Sequence, residues 1–216
     1  MLPVSCSILP NGTVCRVTIE HTSRAYGQRA DEYIDAVGTM EATSPVDRDL
    51  VGAWARKHSG GQILDVGCGP GQWTNWLREQ GITVTGVDPT PEFLDRARTR
   101  YPDARFRAGR AEALDVAAGS LSGILAWFSL IHTPPHEVPA ILDEFARCVE
   151  PGGGLLLGFF EGPELVPFDH KIVTAYFWPI DELSRVVEKA GFTVTSRDAR
   201  VDPGSRRQGA ITAIRT

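Results

Sequence analysis

Ile63-Leu64-Asp65-Val66-Gly67-Cys68-Gly69-Pro70-Gly71 decides the fold of this chain. A mostly apolar strand runs into glycines at every second position, and a helix-compatible segment, Gln72-Trp73-Thr74-Asn75-Trp76-Leu77, follows. Glycines let the backbone turn sharply and approach a ligand with no Cβ in the way. The helix start behind them offers unpaired N–H groups to an anion. Strand, glycine turn and helix together form a unit suited to a nucleotide-like ligand.

The second marker is Gly81-Ile82-Thr83-Val84-Thr85-Gly86-Val87-Asp88, a short strand ending in an acid about 20 residues after the glycine turn. A carboxylate there can accept both hydroxyl hydrogens of a ribose. The competing role for Asp88, helix N-cap, is better filled by Thr90 with Pro91 at the first helical position, which leaves Asp88 free for a ligand.

Glycine spacing separates the possible ligands. A dinucleotide fingerprint reads G-x-G-x-x-G. Here the third glycine, Gly71, comes one residue early, and Gln72 holds the fingerprint position. No G-x-x-x-x-G-K-[ST] occurs, which excludes a P-loop. Asp65-Val66-Gly67-Cys68-Gly69-Pro70-Gly71 resembles motif I of the class I S-adenosylmethionine (SAM)-dependent methyltransferases, of the small-molecule type found in the ubiquinone/menaquinone-like and related bacterial groups. The resemblance covers roughly residues 23 to 216 and weakens toward the C-terminus.

The resemblance implies SAM as cofactor and S-adenosylhomocysteine (SAH) as product. It lays the backbone of Gly67, Cys68, Gly69 and Gly71 along the methionine part. It gives Asp65 the role of the motif-I acid, which supports the amino end or orders the loop; capping the turn's own N–H groups is the equal alternative. Asp88 takes the ribose, and Pro89 packs on the adenine. Gly109, Arg110 and Ala111 follow the third strand. The family often has an acid where Arg110 stands, and a guanidinium cannot accept a hydrogen bond. Its backbone or its flat face must serve instead, with the Ala111 N–H facing an adenine nitrogen. Phe128 and Ser129 line the cofactor where the fourth strand ends. Tyr26, Arg29 and Tyr33 share one face of an N-terminal helix, where a tyrosine or arginine of related enzymes reaches the methionine carboxylate.

His132, with an ordinary pKa near neutrality, is the candidate general base; a structural histidine beside a helix start is the alternative. His170 is a second candidate. It lies in an irregular aromatic segment, Glu161 to Trp178, that helps wall an acceptor pocket. No Asn/Asp-Pro-Pro-Tyr/Phe tetrapeptide ends the fourth strand; Thr133-Pro134-Pro135-His136 is displaced, which argues against methylation of nucleic-acid amino groups.

The net charge is −5 over 216 residues, and the longest basic cluster considered, Arg206-Arg207, is read as a solvated turn. Nucleic acid is therefore not the expected partner. Cysteines stand at 6, 15, 68 and 148 without a C-x-x-C, so neither zinc nor a disulfide framework is expected. Reduced thiols point to the cytoplasm. No apolar run reaches the roughly 20 residues of a membrane helix, and, with no basic stretch before a long apolar one, a secretory signal is not expected. The chain is expected as a monomer or homodimer.

Residues 1–18 read as a loose leader and 19–216 as one domain, with a helical cap over 19–61 and a sheet core over 62–216. Helices are predicted over 23–37 and 47–58. Strands and helices then alternate: strands at 63–66, 84–87, 104–108, 122–127, 155–160, 192–196 and 210–214, and helices at 72–80, 91–100, from about 134 to 149, and 180–190. That order predicts an α/β, doubly wound, mostly parallel seven-stranded sheet with a C-terminal antiparallel strand pair, the Rossmann-like methyltransferase fold.

The expected reaction is methyl transfer from SAM to a small-molecule acceptor; aromatic segments favour an apolar or aromatic one, at oxygen, nitrogen, sulfur or carbon. A nicotinamide-dependent oxidoreductase is the first alternative, with the wrong glycine spacing and no Tyr-x-x-x-Lys pair. A non-catalytic SAM-binding module is the second. An open acceptor cavity would separate it from an enzyme.

Overall fold

The computed structural model describes residues 16–29, 34 and 38–216. Tyr33, Cys6, Cys15 and most of the predicted leader lie outside the described residues.

Parallel strands with helices on both faces must bury both sides, and they read as apolar runs. β1 (Ile63–Val66) is buried at every residue, and β4 (Leu121–Trp127) at all but Trp127. With β2 (Val84–Asp88), β3 (Arg105–Ala108), β5 (Val149–Glu161), β8 (Phe192–Arg200) and β9 (Gln208–Arg215) they form seven main strands in the order β3-β2-β1-β4-β5-β9-β8. β1 to β5 run parallel. β9 enters antiparallel to both β5 and β8. This is the predicted Rossmann-like arrangement.

Two helices, α2 (Pro45–Lys57) and α3 (Gln72–Glu79), pack Val51, Trp54, Trp73 and Leu77 against one face with Ile63, Leu125 and Leu156. On the other face, α5 (Val138–Cys148) and α6 (Ile180–Lys189) contribute Ile141, Phe145, Leu183 and Val187, packed with Leu64, Ile124 and Leu155. α4 (Pro91–Arg100) starts with Pro91 after Thr90, although the Thr90 hydroxyl makes no cap bond.

Two expectations are corrected. The N-terminal helix, α1, spans Arg16–Gln28 rather than starting at 23, and the chain turns at Arg29. The segment after β5 is not wholly irregular: β6 (Val166–Phe168) and β7 (Ala175–Trp178) pair as a hairpin, which brings the sheet to nine strands. β4 stops pairing with β5 at Trp127–Gly158, and β7 takes up the same edge of β5 at Phe160–Phe177. Tyr176 N–H donates to Ile131 O at 2.9 Å and joins the hairpin to the chain leaving β4. The insertion thus stands over the carboxyl ends of the strands, next to the point where strand order reverses between β1 and β4. In doubly wound sheets a ligand binds there.

Candidate functional site

The glycine turn builds the floor of a cleft. Gly67 has φ +71°, and a Cβ there would lie 2.3 Å from Ser129 Cβ, so only glycine lets the turn pass the end of β4. Asp88, at the end of β2, pins the turn: Oδ2 accepts the Gly69 N–H at 2.9 Å and Oδ1 the Thr90 N–H at 2.8 Å. This corrects the reading of Asp88 as unengaged. A carboxylate offers about four lone-pair directions, so capacity remains toward the cleft, which Asp88 lines. Burial raises its pKa, against the pull of those two N–H groups.

Asp65 does not cap the turn. Its Oδ2 accepts the Thr74 hydroxyl at 2.6 Å and so ties β1 to α3. Burial, with the Asp88 charge adding, pushes its carboxyl up to about 7 despite the Thr74 bond. Burial likewise pushes the Cys68 thiol up, away from a nucleophile's range.

The cleft has two chambers. The smaller, about 150 Å³, is lined by Asp88, Pro89, Gly109, Arg110, Ala111, Ser129 and His132 among the anticipated residues. The larger, about 350 Å³, takes Asp65 and Cys68. Tyr26, Gly67, Gly69, Trp127 and Phe128 line both, and mark the seam between them. At the seam Phe128 holds φ +55°, uncommon for a residue with a Cβ. Its N–H donates to Gly158 O at 3.0 Å, and its ring meets Trp127 and Phe160 edge-on.

Two anticipated residues line neither chamber. Gly71 has φ +85°, and a Cβ there would sit 2.6 Å from the Phe106 ring; it serves helix–strand packing, not the ligand. Arg29 donates to Lys171 O and so joins α1 to the insertion.

His132 is also corrected. Its Nδ1 lies 2.8 Å from Thr174 O, and a carbonyl can only accept, so the proton sits on Nδ1. Nε2 then accepts the Tyr26 hydroxyl, also at 2.8 Å. Both ring nitrogens are committed, and burial pushes the ring down to about 4. The lone pair a base needs is already engaged by Tyr26. The result is a three-segment line, from insertion through core to α1.

Sequence reasoning missed several lining groups. Glu112 sits in the smaller chamber: Oε1 pairs with Arg110 Nε at 2.5 Å, while Oε2 is buried with no partner. An acid is thus present, two residues beyond the position where the family often has one. The Ser129 hydroxyl is likewise buried and unpartnered. Thr43, Ser44, Asp47, Trp73, Asp202, Ser205 and Gln208 line the larger chamber, with Phe160 and His170 from the aromatic segment. Arg200 ties its two sides together through Asp47 at 2.6 Å and Asp202 at 3.0 Å. No motif joins these positions; Asp202-Pro203-Gly204-Ser205 reads only as a turn. No three His, Cys, Asp or Glu side chains converge as a metal site among the described residues, nor is any helix there long and apolar enough to cross a membrane.

Residues 63–153 match the model of the methyltransferase domain. An uncharacterized methyltransferase of Synechocystis sp. is 30% identical over 147 residues, covering 64% of this chain and 69% of that one. The malonyl-[acyl-carrier protein] O-methyltransferase of Serratia marcescens is 33% identical over 138 residues, 59% of this chain and 50% of that one. Several curated relatives are thus matched over only about half of their length. The crystal structure of Burkholderia thailandensis 1,6-didemethyltoxoflavin-N1-methyltransferase, with 1,6-didemethyltoxoflavin and SAH bound, superposes with a TM-score of 0.76 at 22% identity, over 99% of this chain and 94% of that one.

Proposed function

The chain belongs to the class I SAM-dependent methyltransferases, and from that premise we propose that it transfers a methyl group from SAM to a small organic acceptor, releasing SAH. The observation that carries this reading is the larger chamber. The Asp65 and Cys68 end of that chamber takes the methionine part of the cofactor, and a module that only binds the cofactor has no use for the remainder, which runs on to Phe160, His170 and Gln208. Family membership displaces the oxidoreductase alternative, in line with the glycine spacing.

The smaller chamber has the features an adenosine group needs. Gly69 leaves open space where a Cβ would stand, and two buried oxygens, Ser129 Oγ and Glu112 Oε2, await partners. In this reading Asp88 accepts the ribose hydroxyls, Glu112 Oε2 the adenine amino group, and the Ala111 N–H faces a ring nitrogen. Pro89 and the flat side of Arg110 pack on the base. Asp65 faces the methionine amino end from the larger chamber, close to Gly67 and Gly69. Bound there, SAM supplies a methyl group on a positively charged sulfur. The chain's own part is to align the acceptor in line at the seam and to exclude water, which can carry most of the rate. Tyr26 and Phe128 stand at the seam, and His132 is a positioning residue for the Tyr26 hydroxyl.

Aromatic walls favour a planar acceptor. The fold neighbour with 1,6-didemethyltoxoflavin bound is consistent with that. The buried thiols of Cys68 and Cys148 support a reducing compartment such as the cytoplasm.

Calorimetric titration with SAH, with NADH in parallel, tests the reading. Saturable SAH binding that weakens about a hundredfold or more in Asp88→Ala is the expected result. NADH binding without SAH binding would overturn it.

A further inference from the structure

One wall of the larger chamber is polar and is held from behind by a single guanidinium. β9 begins at Gln208, paired with Phe160 of β5 on one side and with Arg200 of β8 on the other. β4 and β5 separate this corner from β1 and its glycine turn. The wall therefore stands away from the cofactor end. Asp47, Asp202, Ser205 and Gln208 line it, and Arg200 does not.

Arg200 fixes how these side chains point. Its Nε faces both oxygens of Asp202, at 3.0 and 3.3 Å. Its Nη2 donates to Gln208 Oε1 at 3.0 Å. A guanidinium offers only donors, so the Gln208 oxygen must face it and the amide nitrogen turns away with two N–H groups. No partner meets that nitrogen among the described residues. The same Nη2 lies 2.6 Å from Asp47 Oδ1, so Asp47 and Gln208 stand side by side. That contact is an ion pair outside hydrogen-bond geometry, and Oδ1 accepts no hydrogen bond. No donor reaches Oδ2 among the described residues either. Asp47 is nonetheless only 6% exposed, and burial raises its pKa against the pull of Arg200. A carboxylate so buried costs stability until a donor reaches it.

We propose that the methyl acceptor carries a neutral amide-type group, a carboxamide or a ring lactam, whose N–H donates to Asp47 and whose carbonyl accepts from the Gln208 amide nitrogen. This rests on the reading of the larger chamber as the acceptor site. An anion is disfavoured, because Asp47 and Asp202 outnumber Arg200 and the guanidinium's donors are turned to them and to Gln208. A cation would suit Asp47, but its N–H groups would meet those of Gln208, donor against donor. A group with no N–H expels water from Asp47 and returns nothing. An amide answers both positions, and its bond to the carboxylate is charge-assisted. Asp47 and Gln208 are then what select the acceptor, and Arg200 positions them.

The test uses three probes of nearly one shape, titrated calorimetrically into the SAH-saturated protein. They are 2-naphthamide, 2-acetonaphthone, in which a methyl replaces the amino group, and 2-naphthoate. The amide binds at least about tenfold more tightly than the ketone or the acid. Asp47→Asn and Gln208→Glu each keep an oxygen for Arg200. In Asp47→Asn the amide and the ketone bind within about threefold of each other. In Gln208→Glu a carboxylate oxygen faces the probe's carbonyl, and amide affinity falls about tenfold or more. SAH affinity is unchanged in both. An amide that binds no better than the ketone or the acid, binding of none of the three, or a preference that survives both variants would each overturn the proposal. Loss of SAH affinity in Asp47→Asn would put Asp47 at the methionine end and overturn it too. SAH bound without an amide preference defeats this inference alone; failure of SAH to bind the wild type defeats the cofactor reading and this inference with it.

Discussion

The two chambers of the cleft are built by opposite means. The cofactor side is made by backbone: a glycine turn, a strand end and the N–H groups that Asp88 gathers at 2.8 and 2.9 Å. Contiguous short stretches encode it, so a motif can announce it. The larger chamber, read as the acceptor side, shares that turn but is closed by side chains brought from Asp47, Trp73, Phe160, His170 and Gln208, separated in sequence and joined only by the fold. The first depends on backbone geometry that a short motif encodes; the second can be altered one side chain at a time.

If that contrast is right, the heaviest loss comes from touching the backbone side. Gly67→Ala places a methyl 2.3 Å from Ser129 Cβ at a φ of +71°. About 3 kcal/mol of stability or more should go, read by urea unfolding, together with measurable SAH binding. Phe160→Ala, on the other side, should spare SAH binding while abolishing aromatic-probe binding. Loss of SAH affinity in that variant would dissolve the distinction between chambers.

Asp88→Ala comes next. It removes the ribose acceptor and frees two N–H groups, so SAH affinity should fall about a hundredfold or more. An unchanged calorimetric constant would remove Asp88 from the ribose.

Asp65, of the larger chamber, and His132, of the smaller, titrate in opposite senses. Asp65 has a folded pKa of about 7 against about 3.9 unfolded. Between those values the folded state holds the extra proton. Asp65's contribution is therefore full below about pH 4 and is lost as pH rises through 7. His132 has a folded pKa of about 4 against about 6.5 unfolded. There the unfolded state holds the extra proton, so stability rises from about pH 4 to 6.5 and is lost on acidification. Each slope reaches at most about 1.4 kcal/mol per pH unit, and over the shared window they oppose. Asp65→Asn should leave stability rising with pH, and His132→Gln should leave it falling. Unfolding curves of both variants running parallel to wild type would contradict these assignments.

The smallest effect is expected at the seam. Tyr26→Phe should cost about 1 kcal/mol and His132→Ala somewhat more, with the double variant less than the sum because the two share one bond. Additive losses would mean that the Tyr26–His132 bond contributes nothing.

Legibility from sequence follows the same division. The succession of strands and helices and the C-terminal pair were readable because parallel strands are apolar runs and their helices carry periodic apolar faces. Asp65, Gly67, Asp88, Gly109 and Ala111 were readable as lining residues because a motif fixes their register. Gly71 misled because one glycine pattern serves both ligand approach and packing, and only the Phe106 ring separates the two. His132 misled because a histidine's chemistry depends on what its nitrogens touch, and Tyr26 and Thr174 lie 106 and 42 residues away. The β6–β7 hairpin was hidden because its strands are three and four residues long, too short for alternation to register.

The line from Thr174 O through His132 to the Tyr26 hydroxyl bears on timing. It fastens the cover of one chamber to the wall of the other, with Arg29 on Lys171 O as a second stitch. Were α1 and the insertion to part, both of these links would have to break together. Turnover would then be paced by unfastening instead of bond-making, and the spent cofactor and the methylated product would leave through the same opening before either could be renewed.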